Sequence, residues 1–268
     1  VVIFLFNLSE SRKDALENMK RESYYISQST AYRIESVLRG AEEIAFNLAR
    51  LLEKQPGISQ MQLEERIKTL VFANPEIFGC CVAYEPYSFF RDSLYYAPYA
   101  FHSGDTVSFM QIGNDSYNYF YLDWYQIPRE LNQPLWSEPY FDANAGNIMM
   151  ATYSAPIWHV RNGKPEILAI VTIDIDLQYL SRMVSDIRVF DHGYAFLVSK
   201  QGTFITHPVK DFISNETVFT LAEEYNQPYL REAGRDMISG GSGYQEVEPV
   251  TRKGDKYLMT YMPIPASG

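Results

Sequence analysis

Two acidic side chains, Asp174 and Asp176, alternate along a β-rich run and are the pair best placed for chemistry. Side chains two residues apart in a strand lie on the same face, so the two carboxylates would point the same way, as paired acid–base groups do. However, a helix is predicted to begin near Leu177, and Asp commonly caps helix N-termini. Because capping alone accounts for the pair, no catalytic role follows.

The other reactive side chains form no catalytic or metal-binding pattern. Cys80 and Cys81 are neighbours, so in a strand they point to opposite faces and are not expected to form a disulfide with each other. The sequence contains no GxSxG, HExxH, Walker or GxGxxG motif. The histidines have no ligand spacing, and we therefore predict no enzyme, no metal site and no cofactor. They are His102, His159, His192 and His207.

The composition excludes several functional classes. Hydrophobic residues make up 46% of the 268 residues and charged residues 21%, which is typical of a folded protein. The net charge is −10, and no cluster of Lys and Arg provides a surface for nucleic acid or anionic lipid. The 21 Tyr and 16 Phe suit the walls of a small-molecule pocket. They could equally fill strands, and composition leaves both interpretations open.

The N-terminal region predicts a membrane-proximal stalk. Residues 1–8 are apolar but too short to span a bilayer, and they lack the charged start of a signal peptide. We interpret them as the remnant of a transmembrane helix. Residues 9–56 contain almost no helix breaker and carry apolar residues at helical spacing, which predicts one helix of about 65 Å. Such a helix could transmit motion, form a coiled-coil dimer seam, or do both.

The rest of the chain predicts two α+β lobes, at residues 57–188 and 189–268. The predicted class is a long N-terminal helix followed by two lobes with antiparallel sheets. In the first lobe, strands are predicted at 77–84, within 95–109, at 147–160 and at 166–176, with helices at 61–72, 121–131 and 177–187. In the second lobe, strands are predicted at 192–200, 203–206, 244–247 and 257–262, with helical residues at 218–238.

Several segments, in this order, resemble the double Cache family of PAS-like extracytoplasmic sensors. The resemblance covers essentially the whole chain. The segments are Asp123-Trp-Tyr125, Trp136-Ser-Glu-Pro-Tyr-Phe-Asp142, Ala151-Thr-Tyr-Ser-Ala-Pro156, Val171-Thr-Ile-Asp-Ile-Asp-Leu177, Gly193-Tyr-Ala-Phe-Leu-Val198 and His207-Pro208.

The resemblance implies a sensor in the cell inner membrane that faces the periplasm or the exterior. Residues 57–188 would be a membrane-distal lobe that holds a small ligand, and residues 189–268 a membrane-proximal lobe. Flanking transmembrane helices would anchor the full protein, and a histidine kinase, chemotaxis, cyclase or serine-phosphatase output would lie in the cytoplasm. A homodimer through the N-terminal helix is a further expectation. The alternative is a ligand-free periplasmic module that dimerises or senses a partner protein.

The resemblance also implies a ligand site, because the motif of the amino-acid-binding members can be laid on this sequence. This sequence differs from the motif at one position: two residues before Trp124, where the motif has Arg, it has Leu122. The matching residues are Tyr117, Trp124, Tyr125, Tyr140, Asp142 and Asp174.

These residue types can recognise an ammonium group, through carboxylates and aromatic faces. The fork of an Arg, which best binds a carboxylate, is missing at position 122. We therefore predict a small polar ligand and favour a cationic amine without a carboxylate, although amides and neutral molecules stay open. Arg129 or Arg91 could replace the missing Arg. Alternatively, Asp174 could cap the next helix, and Asp142 could cap a turn. Trp124 and Trp136 could be core.

Overall fold

A computed structural model describes residues 2–143, 146–161, 163–185, 187, 193–247 and 257–265. Contacts divide the chain into two compact units. We call residues 37–180 the central lobe, and residues 1–36 with 181–267 the terminal lobe. These bounds come from contacts, and the assignment of membrane-distal and membrane-proximal lobes stays a prediction.

The N-terminal helix, α1, extends from Val2 to Lys54, so its backbone is helical before the predicted start at residue 9. It ends where Pro56 and Gly57 disfavour helix. In the central lobe its buried positions recur every three or four residues, which is the amphipathic spacing that predicted it. In the described part of the chain, no helix combines the length and the apolar character that crossing a bilayer requires. The buried positions are Leu38, Ala41, Ala45, Leu48, Ala49 and Leu52.

The central lobe is built on one antiparallel sheet with strand order β3-β2-β1-β7-β6-β4, and β5 also pairs with β6. Helix α2 begins at a capping box on Ser59 and buries Leu63, Ile67 and Val71. It contacts β1, β2 and β3, whereas α3 contacts β6 and β7. The elements are α2 (Gln60–Ala73), β1 (Gly79–Tyr84), β2 (Pro98–Ser103), β3 (Thr106–Gln111), α3 (Asp123–Leu131), β4 (Leu135–Trp136), β5 (Tyr140–Asp142), β6 (Ile148–Arg161), β7 (Lys164–Asp176) and α4 (Leu177–Ser185).

The terminal lobe pairs its strands in two short hairpins around a separate apolar cluster. The strand predicted from residue 192 is much shorter in the structure, where β8 covers two residues, and residues 188–192 lie outside the described part. The predicted helical stretch divides into α5 and α6. The elements are β8 (Leu197–Val198), β9 (Phe204–Thr206), α5 (Val218–Glu224), α6 (Pro228–Ile238), β10 (Gly243–Val247) and β11 (Tyr257–Tyr261). Phe204, Val218, Leu221, Ala222 and Leu230 form its core.

The predicted α+β class, with a long N-terminal helix followed by antiparallel sheet, is confirmed. The strands predicted at 147–160 and 166–176 are the long hairpin of β6 and β7, whose register runs from Met150 opposite Asp176 to Arg161 opposite Lys164. This hairpin brings polar residues of β6 beside those of β7 at the end of the sheet that leads into α4.

Candidate functional site

A cavity of about 230 Å³, including its opening to solvent, lies on the sheet face covered by α3. Among the described residues, the lining contains two carboxylates and no Lys or Arg. The nine lining residues are Cys81, Tyr99, Ile112, Tyr117, Trp124, Tyr140, Asp142, Thr172 and Asp174.

Five of the six residues predicted for the site line this one cavity. They come from a loop after β3, from α3, from β5 and from β7, and they are Tyr117, Trp124, Tyr140, Asp142 and Asp174. The sixth, Tyr125, does not line it. Strand pairing accounts for the meeting of β5 and β7 residues, since both strands flank β6.

Asp174 is the most deeply buried carboxylate of the cavity, with 4% of its surface exposed. The hydroxyl of Thr152 donates to Asp174 Oδ1 at 2.7 Å. Tyr140 Oη lies 2.8 Å from the same Thr152 oxygen. A hydroxyl has a single proton, so Tyr140 must donate to Thr152 while Thr152 donates to Asp174. This relay fixes the orientation of Tyr140 and Asp174 together.

Burial raises the pKa of Asp174 to about 7, and the nearby charge of Asp142 adds to the effect. The interactions of the Thr152 and Tyr99 hydroxyls with the carboxylate favour the ionised form and lower the pKa. In the ligand-free protein the carboxyl group is therefore close to half ionised at neutral pH. A cation bound beside it would favour the ionised form.

Asp142 is the last residue of β5 and is also buried, with 7% of its surface exposed. It lies two residues from Tyr140, so both side chains leave the same face of the strand. Burial and then the charge of Asp142 raise the pKa of Tyr117, and a hydrogen bond from Trp124 partly offsets this. The charge of a cavity carboxylate thus makes the hydroxyl of an aromatic wall residue harder to ionise.

Gly79 allows Tyr99 to reach the charged end of the cavity. A Cβ atom on Gly79 would lie 2.5 Å from Tyr99 Oη and 2.8 Å from its Cζ. Gly79 is paired with Asp174 across the strands, so the ring of Tyr99 crosses toward that carboxyl group. Its hydroxyl influences Asp174 electrostatically but has no hydrogen-bond partner of good geometry among the described residues.

Tyr125 takes a different place from the one the family motif implies. Its hydroxyl donates to Glu85 Oε1 at 2.7 Å, and its ring packs in the core beside Trp124. Arg129 Nε donates to the same Glu85 oxygen at 2.7 Å. Neither Arg129 nor the exposed Arg91 lines the cavity, so the substitution for the missing Arg at Leu122 does not occur in this structure.

The capping alternative for Asp174 is wrong, because Asp176 makes the cap. Asp176 Oδ1 accepts the backbone N–H of Gln178 at 2.7 Å at the start of α4. The turn that Asp142 was expected to cap includes residues 144 and 145, which lie outside the described part. Trp124 combines the two roles weighed for it, since it packs in the core cluster and lines the cavity.

Sequence reasoning missed several residues that complete the site. Thr172 could have been found, because it lies two residues before Asp174 and therefore on the same strand face. Tyr99 and Cys81 carry no such local signal, since strand pairing alone brings them there. Thr152, which orients Asp174, depends likewise on the β6–β7 register. Ile112 supplies an apolar wall.

The histidines lie away from the cavity wherever the structure describes them. His102 Nε2 is 3.0 Å from the carbonyl oxygen of Val71, and His207 packs among aromatic rings of the terminal lobe. His192 lies outside the described residues. Within the described part of the chain, no three His, Cys, Asp or Glu side chains cluster as metal ligands would.

Comparisons with known proteins assign this fold to a class. Residues 63–182 match the family model "Methyl-accepting chemotaxis protein-like, first PDC sensor domain". Methyl-accepting chemotaxis protein PscA of Pseudomonas syringae pv. tomato is 31% identical over 117 residues, which are 44% of this chain and 18% of PscA. The matched segment thus spans less than a fifth of that relative.

Solved structures extend the likeness to almost the whole chain. The extracellular domain of the putative histidine kinase mmHK1S-Z2 is 25% identical, with a TM-score of 0.77 over 93% of this chain and 94% of that one. The ligand-binding domain of the Pseudomonas aeruginosa PAO1 chemoreceptor PctC, in complex with GABA, has a TM-score of 0.61 over 91% of this chain and 92% of that one. At 20% identity, PctC supports the fold alone.

The fold is therefore that of the PDC, or double Cache, sensor domains carried by chemoreceptors and histidine kinases, and the resemblance predicted from the sequence is confirmed. A sensor domain of this class is not itself catalytic. All nine cavity residues lie within 63–182, the segment that matches the first PDC sensor domain.

Proposed function

We propose that this chain is the extracytoplasmic sensor of a transmembrane receptor and binds a small cationic amine in the central-lobe cavity. The observation that carries the proposal is the charge of the lining, where the described part of the chain supplies two buried carboxylates and no Lys or Arg. The full protein would be anchored by flanking transmembrane helices and would expose this domain to the periplasm or the exterior.

The ammonium group would lie between the carboxylates and the aromatic walls. Charge-assisted hydrogen bonds to Asp174 and Asp142, and the face of Trp124, favour a cation there. A free carboxylate on the ligand would be disfavoured, because Leu122 replaces the Arg of amino-acid binders and Arg129 is paired with Glu85. A buried carboxylate without a donor costs several kcal/mol.

Signalling would require the cavity to have different affinities in two conformations. A ligand shifts an equilibrium only by its differential affinity for the two states. The walls of this cavity come from separate segments, so a ligand that bridges α3 and β7 would favour the state in which they are close. Helix α1, whose central-lobe portion is part of the same unit, would carry the change toward the membrane.

Isothermal calorimetry and thermal unfolding with n-butylamine and with L-amino acids test the proposal. We expect butylamine to bind and to raise the Tm of the wild-type protein by mass action. Asp174→Asn should abolish this, whereas Asp105→Asn, at an exposed aspartate of the same lobe, should not. Tighter binding of L-amino acids than of butylamine would contradict the proposal, because it would require a carboxylate donor.

Dimerisation through α1 is a second candidate function. Tyr25 and Tyr32 are each 61% exposed and seven residues apart, so they lie on one face of the helix. Sedimentation velocity tests whether this face joins two copies. We expect the combined Tyr25→Ser and Tyr32→Ser changes to shift the protein to monomer, while Tyr229→Ser, at an equally exposed tyrosine, should not. A wild-type protein that is monomeric at high concentration would exclude this dimer.

A further inference from the structure

Asp174, which lines the cavity, belongs to a row of paired residues that crosses the sheet. Asp174 of β7 lies opposite Gly79 of β1 on one side and opposite Thr152 of β6 on the other. Directly opposed residues of antiparallel strands share a face. The proposed ammonium site is therefore one end of a surface that continues along the strands.

A second row, which we call the neutral row, runs beside it two residues away. Thr172 lies opposite Cys81 and Ser154, and Cys81 lies opposite Tyr99. Residues two apart in a strand share a face, so the neutral row faces the same side as Asp174. All four side chains are at most 2% exposed, and all carry an uncharged hydroxyl or thiol. Tyr99, Cys81 and Thr172 line the cavity directly.

Two hydroxyls of the neutral row are buried: Ser154 Oγ has no hydrogen-bond partner among the described residues, and Tyr99 Oη has none of good geometry, although it interacts electrostatically with Asp174. Buried polar groups in native proteins are normally hydrogen-bonded, so each exception calls for a physical reason. The two lie on one row beside a cavity. A polar group of a bound ligand would satisfy them, directly or through Thr172.

We propose that the neutral row is a second subsite that binds an uncharged hydroxyl group of the ligand. The inference rests on the proposed function, because it places the ligand's ammonium group at Asp174. The two rows are about 6.7 Å apart along each strand, so a short aliphatic linker joins the two groups. The ligand class is a compact amino alcohol. A carboxylate is disfavoured there, because the row offers no cation and lies next to Asp174.

Three probes of nearly equal shape test the subsite by calorimetry. They are 3-amino-1-propanol, n-butylamine, in which a methyl group replaces the hydroxyl, and β-alanine, in which a carboxylate replaces the hydroxymethyl group. We expect wild-type affinity to be highest for aminopropanol, roughly three- to tenfold lower for butylamine, as one net hydrogen bond implies, and lowest for β-alanine.

The variant Thr172→Val keeps the shape of the side chain and removes its hydroxyl. It should lower the affinity for aminopropanol roughly three- to tenfold more than the affinity for butylamine. Thr106→Val, at an exposed strand position outside the cavity, is the matched control and should change neither. Binding of butylamine by Thr172→Val also shows that the variant is folded.

The outcomes separate the two proposals. Equal affinity for aminopropanol and butylamine, with no effect of Thr172→Val, overturns the subsite while the amine site at Asp174 stands. Binding of β-alanine as tight as that of aminopropanol overturns the uncharged character of the row. If no amine binds, the proposed function fails, and the subsite fails with it.

Discussion

At the scale of single residues, burial of the Asp174 carboxyl group lowers the stability of the folded protein, while it places the group where it can bind a cation. Burial raises its pKa to about 7, well above the value of 3.8 for an unperturbed Asp. The folded state therefore binds more protons than the unfolded state between these two values. As pH rises from 4 to above 7, Asp174 therefore increasingly destabilises the ligand-free protein. A bound cation reverses this by favouring the ionised form.

We expect Asp174→Asn to stabilise the ligand-free protein, and to do so more at pH 8 than at pH 5. One pKa unit corresponds to about 1.4 kcal/mol, so the difference between the two conditions should amount to a few kcal/mol. Thermal unfolding of both proteins at both pH values measures it. A Tm difference independent of pH would show that Asp174 is not buried as a titrating group.

The affinity for an amine should increase as pH rises, whereas the stability of the ligand-free protein decreases. Above pH 7 Asp174 is ionised and binding is at full strength. Below pH 7 a proton competes with the ammonium group, so Kd should rise about tenfold per pH unit. Calorimetry with butylamine between pH 5 and 8 checks this. An unchanged Kd across that range would mean that the cation does not bind at Asp174.

At the scale of elements, Gly79 of β1 leaves the space that the ring of Tyr99 occupies beside the cavity. Gly79→Ala would place a methyl group 2.5 Å from Tyr99 Oη, so the ring must move. We expect a loss of about 1–3 kcal/mol in the free energy of unfolding, as overpacking typically causes, together with weaker amine binding. Urea unfolding measures the first.

The matched control for Gly79 is Gly40, in α1, where a Cβ would meet nothing within 4 Å. Gly40→Ala should stabilise the protein by about 0.5–1 kcal/mol, because alanine is the better helix former. Equal effects of the two substitutions would show that Tyr99 does not depend on the missing side chain of Gly79.

Helix α3 is held to the end of β1 by Glu85. One carboxylate oxygen accepts from both Tyr125 and Arg129, each at 2.7 Å, and α3 also carries Trp124 into the cavity. Glu85→Gln should destabilise the protein by about 1–3 kcal/mol, since it weakens charge-assisted bonds, and should alter Trp fluorescence. Glu130→Gln removes the exposed partner of the same Arg129 and should cost less than about 1 kcal/mol.

Elements with strong periodicity could be predicted from the sequence, whereas contacts across strands could not. The spacing in α1 and the alternation in β6 and β7 are local, so both strands and the C-terminal end of α1 were predicted to within two residues, although α1 begins seven residues before its predicted start. The neighbours of Asp174 depend on strand register, which one sequence does not specify. Tyr125 was assigned to the site by its motif position, but its partner, Glu85, lies forty residues away.

At the scale of the whole molecule, the two lobes have separate cores and separate titrating groups. The core cluster of the central lobe lies under α3, and that of the terminal lobe surrounds Phe204. In the terminal lobe, burial lowers the pKa of His207 below 6.5. The folded state therefore binds fewer protons than the unfolded state, so this lobe loses stability as pH falls below 6.5. Asp174 acts in the opposite direction in the central lobe.

The three tryptophans, at 124, 136 and 158, all belong to the central lobe, so their fluorescence reports its unfolding alone. Circular dichroism reports both lobes. Since each lobe has its own core, we expect two thermal transitions. Butylamine should raise the transition seen by fluorescence, and lowering the pH from 7.5 to 5.5 should lower the other. If the two transitions instead coincide and shift equally with ligand, the lobes unfold as one cooperative unit. Helix α1, which has residues in both lobes, would then be the element that couples binding to the rest of the molecule.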